Sequence, residues 1–163
     1  MTKYLFNSPA SISLHVHSGF GMVDRIWYPY AKTSSDFPRK KESLVISELL
    51  DRTIPHHVYK FESQADSYII SGDLWDHLFD LHYNDPQNEN SVYIPFTLEM
   101  GSWNWVRKNP SQIFSLLGMC NPMKRHRHSR TMRRHLLLLD YLLRVTKNYP
   151  AWFQKTTIVG DGQ

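Results

Sequence analysis

From Ala10 to His17 hydrophobic and polar residues alternate, with Ile12, Leu14 and Val16 set between Ser11, Ser13, His15 and His17. A period of two is that of a half-buried strand, so His15 and His17 share one face. Ser18-Gly19-Phe20-Gly21 breaks that strand. Ile26-Trp27-Tyr28-Pro29-Tyr30 follows as a short aromatic extended piece in which Pro29 predicts an edge or a loop. Between Lys41 and Leu50 the spacing becomes helical, through Leu44, Val45, Leu49 and Leu50, and Thr53-Ile54-Pro55 ends it. Val58 to Phe61 reads as another short strand. Asp73, after Gly72, is placed to cap a helix running to about Leu81, with Leu74, Trp75, Leu78, Phe79 and Leu81 on its apolar side.

After the polar loop His82 to Ser91, an apolar run rich in strand-forming residues, Ile94-Pro95-Phe96-Thr97-Leu98, ends on Glu99 ahead of Gly101. Asn109-Pro110 is predicted to open a helix with apolar positions Ile113, Phe114, Leu116 and Leu117, closed by Gly118. Arg130 to Val145 is the longest helical stretch, and Thr156 to Gln163 is expected to fray. Strands alternating with helices predict an α/β layer fold. In such folds functional groups gather at strand ends, which here carry His17-Ser18-Gly19, Tyr68 with Gly72-Asp73, and Glu99-Met100-Gly101.

Composition narrows the classes. A chain of 163 residues with 41% hydrophobic and 21% charged residues fits one globular domain. The single cysteine, Cys120, excludes an internal disulfide and a multi-cysteine metal site. The start of the sequence has no long apolar segment, and Leu136 to Leu139 is far too short to span a bilayer, so a soluble, cytoplasmic protein without membrane contact is expected. The net charge of +4 arises locally, because Lys124 to His135 holds six Lys or Arg residues and three histidines. Such a run can grip phosphates, but more often it is the solvated start of a helix, and nucleic acid is not the partner favoured here. Cations at a helix start oppose the macrodipole and call for an acidic group elsewhere.

Glu99 is the residue with the sharpest chemical question. It is either the first solvated residue after a strand, or a carboxylate retained in apolar surroundings because it is paired, bound to a metal or used as an acid and base. His17-Ser18-Gly19-Phe20-Gly21, Asp24-Arg25-Ile26-Trp27-Tyr28-Pro29-Tyr30-Ala31, Ser71-Gly72-Asp73-Leu74-Trp75-Asp76 and the block from Pro95 to Pro110 bear on that choice. In order and content they resemble the zinc carboxypeptidases of the carboxypeptidase A-like family, and more closely a bacterial branch of it.

The resemblance implies a partial mixed β-sheet flanked by helices, the C-terminal half of such a catalytic domain. It implies that His17 is a zinc ligand, that Glu99 is the catalytic glutamate, and that Tyr68 contacts substrate near its terminal carboxylate. Ser18, Asp73, Trp75 and Asp76 fall where the family binds substrate. The implied substrate is a peptide or related amide, cleaved at its C-terminal bond by a zinc-bound water.

The family also supplies two zinc ligands from an HxxE motif, and this sequence contains none. The expectation is therefore an incomplete zinc site with one ligand and an isolated chain of little activity, with the missing N-terminal half-domain one candidate partner. The alternative is a non-catalytic half-domain that binds a peptide or a partner protein. His15 reads as a supporting neighbour of His17, His77 and Asp80 as the polar edge of a helix, and His56-His57 as surface.

Overall fold

The alternating stretch forms β1, Ala10–Gly19, and the apolar run before Glu99 forms β4, Val92–Gly101. In the computed structural model, which describes residues 5–19 and 21–154, these strands lie side by side and parallel, from Ala10 opposite Val92 to Gly19 opposite Gly101. β2, Arg25–Tyr28, runs antiparallel along the other side of β4. β3, Lys60–Ser63, runs parallel to β2, so the sheet is mixed, in the order β1-β4-β2-β3. Helices complete the layers, among them α1 Lys40–Thr53, α2 Leu74–Tyr83, α3 Trp103–Lys108, α4 Leu116–Cys120 and α5 Arg125–Lys147. The fold is α/β, as the pattern predicts.

The two faces of the sheet differ in chemistry because strand residues alternate. Ser11, Ser13, His15 and His17 of β1 share a face with Tyr93, Thr97 and Glu99 of β4. α2 covers this face. The Trp75 and His15 rings lie 5.9 Å apart, the His82 and Tyr93 rings 5.7 Å apart, and Ser13 Oγ is 2.9 Å from Tyr93 Oη. On the opposite face Ile26, Ile94, Phe96 and Leu98 are each 1% exposed or less. They join Ile46 and Leu50 of α1 with Leu138, Tyr141, Leu142 and Val145 of α5 in one core. Each such side chain contributes roughly 2 kcal/mol by leaving water, which makes this apolar side the foundation on which the polar side is built. Tyr141 Oη donates to Ile46 O and ties the two helices together.

Several stretches take a definite form only in the structure. Of the two alternatives for Pro29, an edge or a loop, the loop holds: β2 is an inner strand, and Pro29 lies just beyond its last paired residue, where no ladder donor is needed. The aromatic segment at Trp103 is helical, forming α3. The helix expected from Asn109 is a 3-10 turn, Pro110–Phe114, followed by α4. Ser115 interrupts it with extended backbone and caps α4 by accepting from Gly118 N, so Phe114, Leu116 and Leu117 are left 92%, 84% and 68% exposed. α5 starts five residues earlier than its apolar periodicity, at Arg125. The stretch expected to fray, Thr156 to Gln163, lies outside the described residues. Among the described residues no helix is long and apolar enough to cross a membrane.

Candidate active site

Register brings His17 and Glu99 together. They are direct partners on adjacent parallel strands, at the C-terminal end of each, although 82 positions separate them in sequence. His17 Nδ1 lies 3.4 Å from Glu99 Oε1 in hydrogen-bonding geometry. It is also 3.2 Å from Oε2, close enough for ion pairing but without that geometry, so Oε2 is buried and has no hydrogen bond. The two side chains differ in access, His17 being 57% exposed and Glu99 12%. The carboxylate is thus largely shielded, whereas the imidazole beside it is open to solvent.

The approach of Glu99 depends on Gly19. A Cβ built at position 19 would stand 1.9 Å from Glu99 Oε1 and 2.5 Å from its carboxyl carbon, so any side chain there displaces the whole carboxylate. Gly19→Ala is expected to turn Glu99 away from His17 at a stability cost of about 1 kcal/mol. A crystal structure of the variant together with thermal denaturation checks this. An unmoved Glu99 would show that the packing is looser than described.

The loop after β1 is held against the turn after β4. Ser102 N donates to Gly19 O (3.0 Å), Trp103 N to Gly21 O (3.2 Å), and Asn104 Nδ2 to Met22 O. Gly101 N donates to Asp24 Oδ1 at 2.8 Å, while Asp24 Oδ2 accepts from Arg134 Nη1 at 2.6 Å. Asp24 is thus an acidic group that reaches the basic start of α5. It is the compensating group that the cations at the helix start call for.

The other predicted residues divide. Tyr68 lies over the site's edge, its ring 5.5 Å from that of Trp27. Its phenol pKa is raised, first by burial and then by the negative charges of Glu99 and Asp73. Asp73 caps α2, its Oδ1 accepting from Trp75 N (2.8 Å) and Asp76 N (2.9 Å). Trp75 packs on His15, whose ring is 5.8 Å from that of His17, so His15 stands between Trp75 and His17 as a supporting neighbour. Asp76 is turned inward: it is 2% exposed, and its Oδ2 accepts from Ala31 N and Lys32 N at 2.9 Å each. Ser18 pairs with Met100 and by alternation lies on the face opposite His17.

One neighbour was missed. Arg25 of β2 is the register partner of Glu99 on the side away from His17. Its Nε pairs with Glu62 at 2.9 Å. The signal was present in Asp24-Arg25, but only the antiparallel pairing of β2 places it beside Glu99. Asp80 accepts from Tyr30 Oη and pairs with Lys32, and His57 pairs with Asp51 at 2.6 Å.

Among the described residues no three His, Cys, Asp or Glu side chains form a group able to hold a metal ion. A catalytic zinc takes three protein ligands and keeps an open position. One imidazole with one adjacent carboxylate falls short of that donor set, so these residues do not by themselves fit a complete zinc site. No family model matches the chain, and no curated protein matches it.

Proposed function

We propose that this chain contributes the proton-transferring side of a hydrolytic centre of the zinc carboxypeptidase type, acting on a C-terminal peptide bond or a related amide. The observation that supports this reading best is the His17–Glu99 pair at the ends of two parallel strands, with one carboxylate oxygen buried and unbonded. A carboxylate held in that way can accept a proton from an attacking water and return it to the leaving amine nitrogen. In this reading Glu99 is that base and acid, and Tyr68 hydrogen-bonds the substrate near its terminal carboxylate. His17 is one zinc ligand, the further ligands come from residues outside this sequence, and no step is assigned to the metal.

A second reading has its own observation. β1 is an edge of the sheet, ten residues long, with no partner on its outer side among the described residues. Such an edge accepts a strand from another chain, and a non-catalytic half-domain that binds a peptide or partner protein would use it.

Two titrations of the purified chain separate these readings. The first expects weak zinc binding by calorimetry that His17→Ala reduces about tenfold or more. It also expects that a peptide with a free C-terminus shifts the amide resonances around Glu99 and Tyr68, with binding weakened severalfold in Tyr68→Phe. Zinc binding identical in wild type and His17→Ala would remove the metal from the reading. Peptide shifts confined to β1 and unchanged in Glu99→Gln would select the second.

A further inference from the structure

The first three turns of α5 carry Arg125, Arg127, Arg130, Arg133 and Arg134, and no acidic residue follows until Asp140. Cations at this end of a helix face the positive pole of its macrodipole. Among the described residues the one carboxylate that pairs with this run is Asp24, bonded to Arg134. The remaining positive charge is divided between two clefts. Arg125 and Arg133 line an open one, whereas Arg127 and Arg130 line a deeper one of about 320 Å³ between α5 and α3, beside the paired Asp24 and Arg134, and Lys108 enters it from the end of α3.

The deeper cleft is built to receive a negative charge. Arg127 is held by neutral acceptors alone, its Nη1 donating to Trp105 O and Gln112 Oε1 (3.2 Å each) and its Nη2 to Lys108 O (3.4 Å), so its position is set while its charge stays uncompensated. Among the described residues the side chains of Lys108 and Arg130 have neither a hydrogen-bond nor an ion-pair partner. Trp105 and Val58 add an apolar wall. Guanidinium groups match phosphoryl oxygens in geometry and an ammonium adds a point charge, so the set suits a dianion better than a single carboxylate. The volume lies at the small end of ligand sites. A nucleic-acid strand following the helix would engage Arg125 and Arg133 on the other side as well.

We propose that this cleft binds a small phosphate monoester with an apolar or aromatic body, its phosphoryl group on Lys108 and Arg130 in front of Arg127, its body against Trp105 and Val58. The site is separate from the His17–Glu99 pair and does not rest on the hydrolase reading.

Calorimetry on the full chain at constant ionic strength tests this with phenyl phosphate, inorganic phosphate and a short single-stranded oligonucleotide as probes. The expected result is one-to-one binding of phenyl phosphate, tighter than that of inorganic phosphate. Lys108→Gln with Arg130→Gln should weaken it about tenfold or more, while Arg125→Gln with Arg133→Gln leaves it within about twofold. All four positions are exposed, and circular dichroism confirms that both double variants are folded. No phenyl phosphate binding above that of chloride would overturn the proposal. So would equal loss in both double variants, inorganic phosphate binding as tightly as the monoester, or tighter oligonucleotide binding with a steep salt dependence.

Discussion

Asp76→Ala is expected to lower the stability of the fold by about 3 kcal/mol, the cost of leaving two buried backbone donors without an acceptor. For a chain of this length that corresponds to a fall in Tm of roughly 6–12 °C. The carboxylate is the link between the first turn of α2 and the segment after β2, where Ala31 is fully buried and Lys32 follows it. Its pKa is raised by burial, against the opposing pull of the bonds from Lys32 N and Ala31 N. The charge is therefore held at some cost, but removing it costs more, because the two N–H groups have no water to turn to. Asp76→Asn keeps an oxygen that accepts both bonds, and its expected loss is about 1 kcal/mol. Urea denaturation of the three proteins, with an unchanged slope, measures the series. A variant whose peptide preference changes while its stability does not would return Asp76 to the substrate-lining role implied by resemblance.

The parts of the fold legible in sequence are those set by local alternation and capping. Ile12, Leu14 and Val16 marked β1, and Asp73 after Gly72 marked the start of α2, where its carboxylate does accept from two backbone N–H groups. Gly72 there has φ of +81°, a conformation open to glycine. The parts that were not legible depend on pairing between distant strands. Nothing in Arg25-Ile26-Trp27-Tyr28 announces that this strand is inserted between β4 and β3, antiparallel to the first and parallel to the second, so Arg25 was not seen as a neighbour of Glu99. Periodicity also failed where a polar residue interrupts it. Ser115 breaks the run from Ile113 to Leu117 into two short turns, and the apolar side chains expected to be buried are exposed.

The candidate site shows the same division. Alternation placed His15 and His17 on one face and put Glu99 at a strand end, but the contact between His17 and Glu99 is a fact of register. Shape decided the rest: a glycine at position 19 and a latch from Ser102 to Gly19 allow the carboxylate to lie flat against β1. Asp76, adjacent to Trp75 in sequence, points the other way because successive helical positions do not share a face.

Acidification from pH 7.5 to pH 4.5 is expected to remove about 2.5 kcal/mol through His82 alone. His82 is 3% exposed, with its ring 5.3 Å from that of Phe6 and 5.7 Å from that of Tyr93. Ser91 Oγ donates to Asn88 O (3.0 Å), which leaves its lone pair to accept from His82 Nε2–H (3.0 Å), an arrangement that holds the neutral imidazole. Burial, and after it the charge of Arg39, lowers the pKa of His82 from 6.5 to about 4, with Asp85 opposing. The unfolded chain therefore takes up a proton near pH 6.5, while the folded chain resists until about pH 4. Above the first value neither state is charged and stability is full; between the two only the unfolded state gains a proton, so stability falls with pH. His82→Gln keeps an amide donor for Ser91 and cannot titrate. Its stability near neutral pH should stay within about 1 kcal/mol of wild type, while the acid-dependent loss shrinks by the His82 share. Denaturation curves of wild type and His82→Gln that run parallel from pH 7.5 to 4.5 would show that His82 is protonated as readily in the folded chain as in the unfolded one.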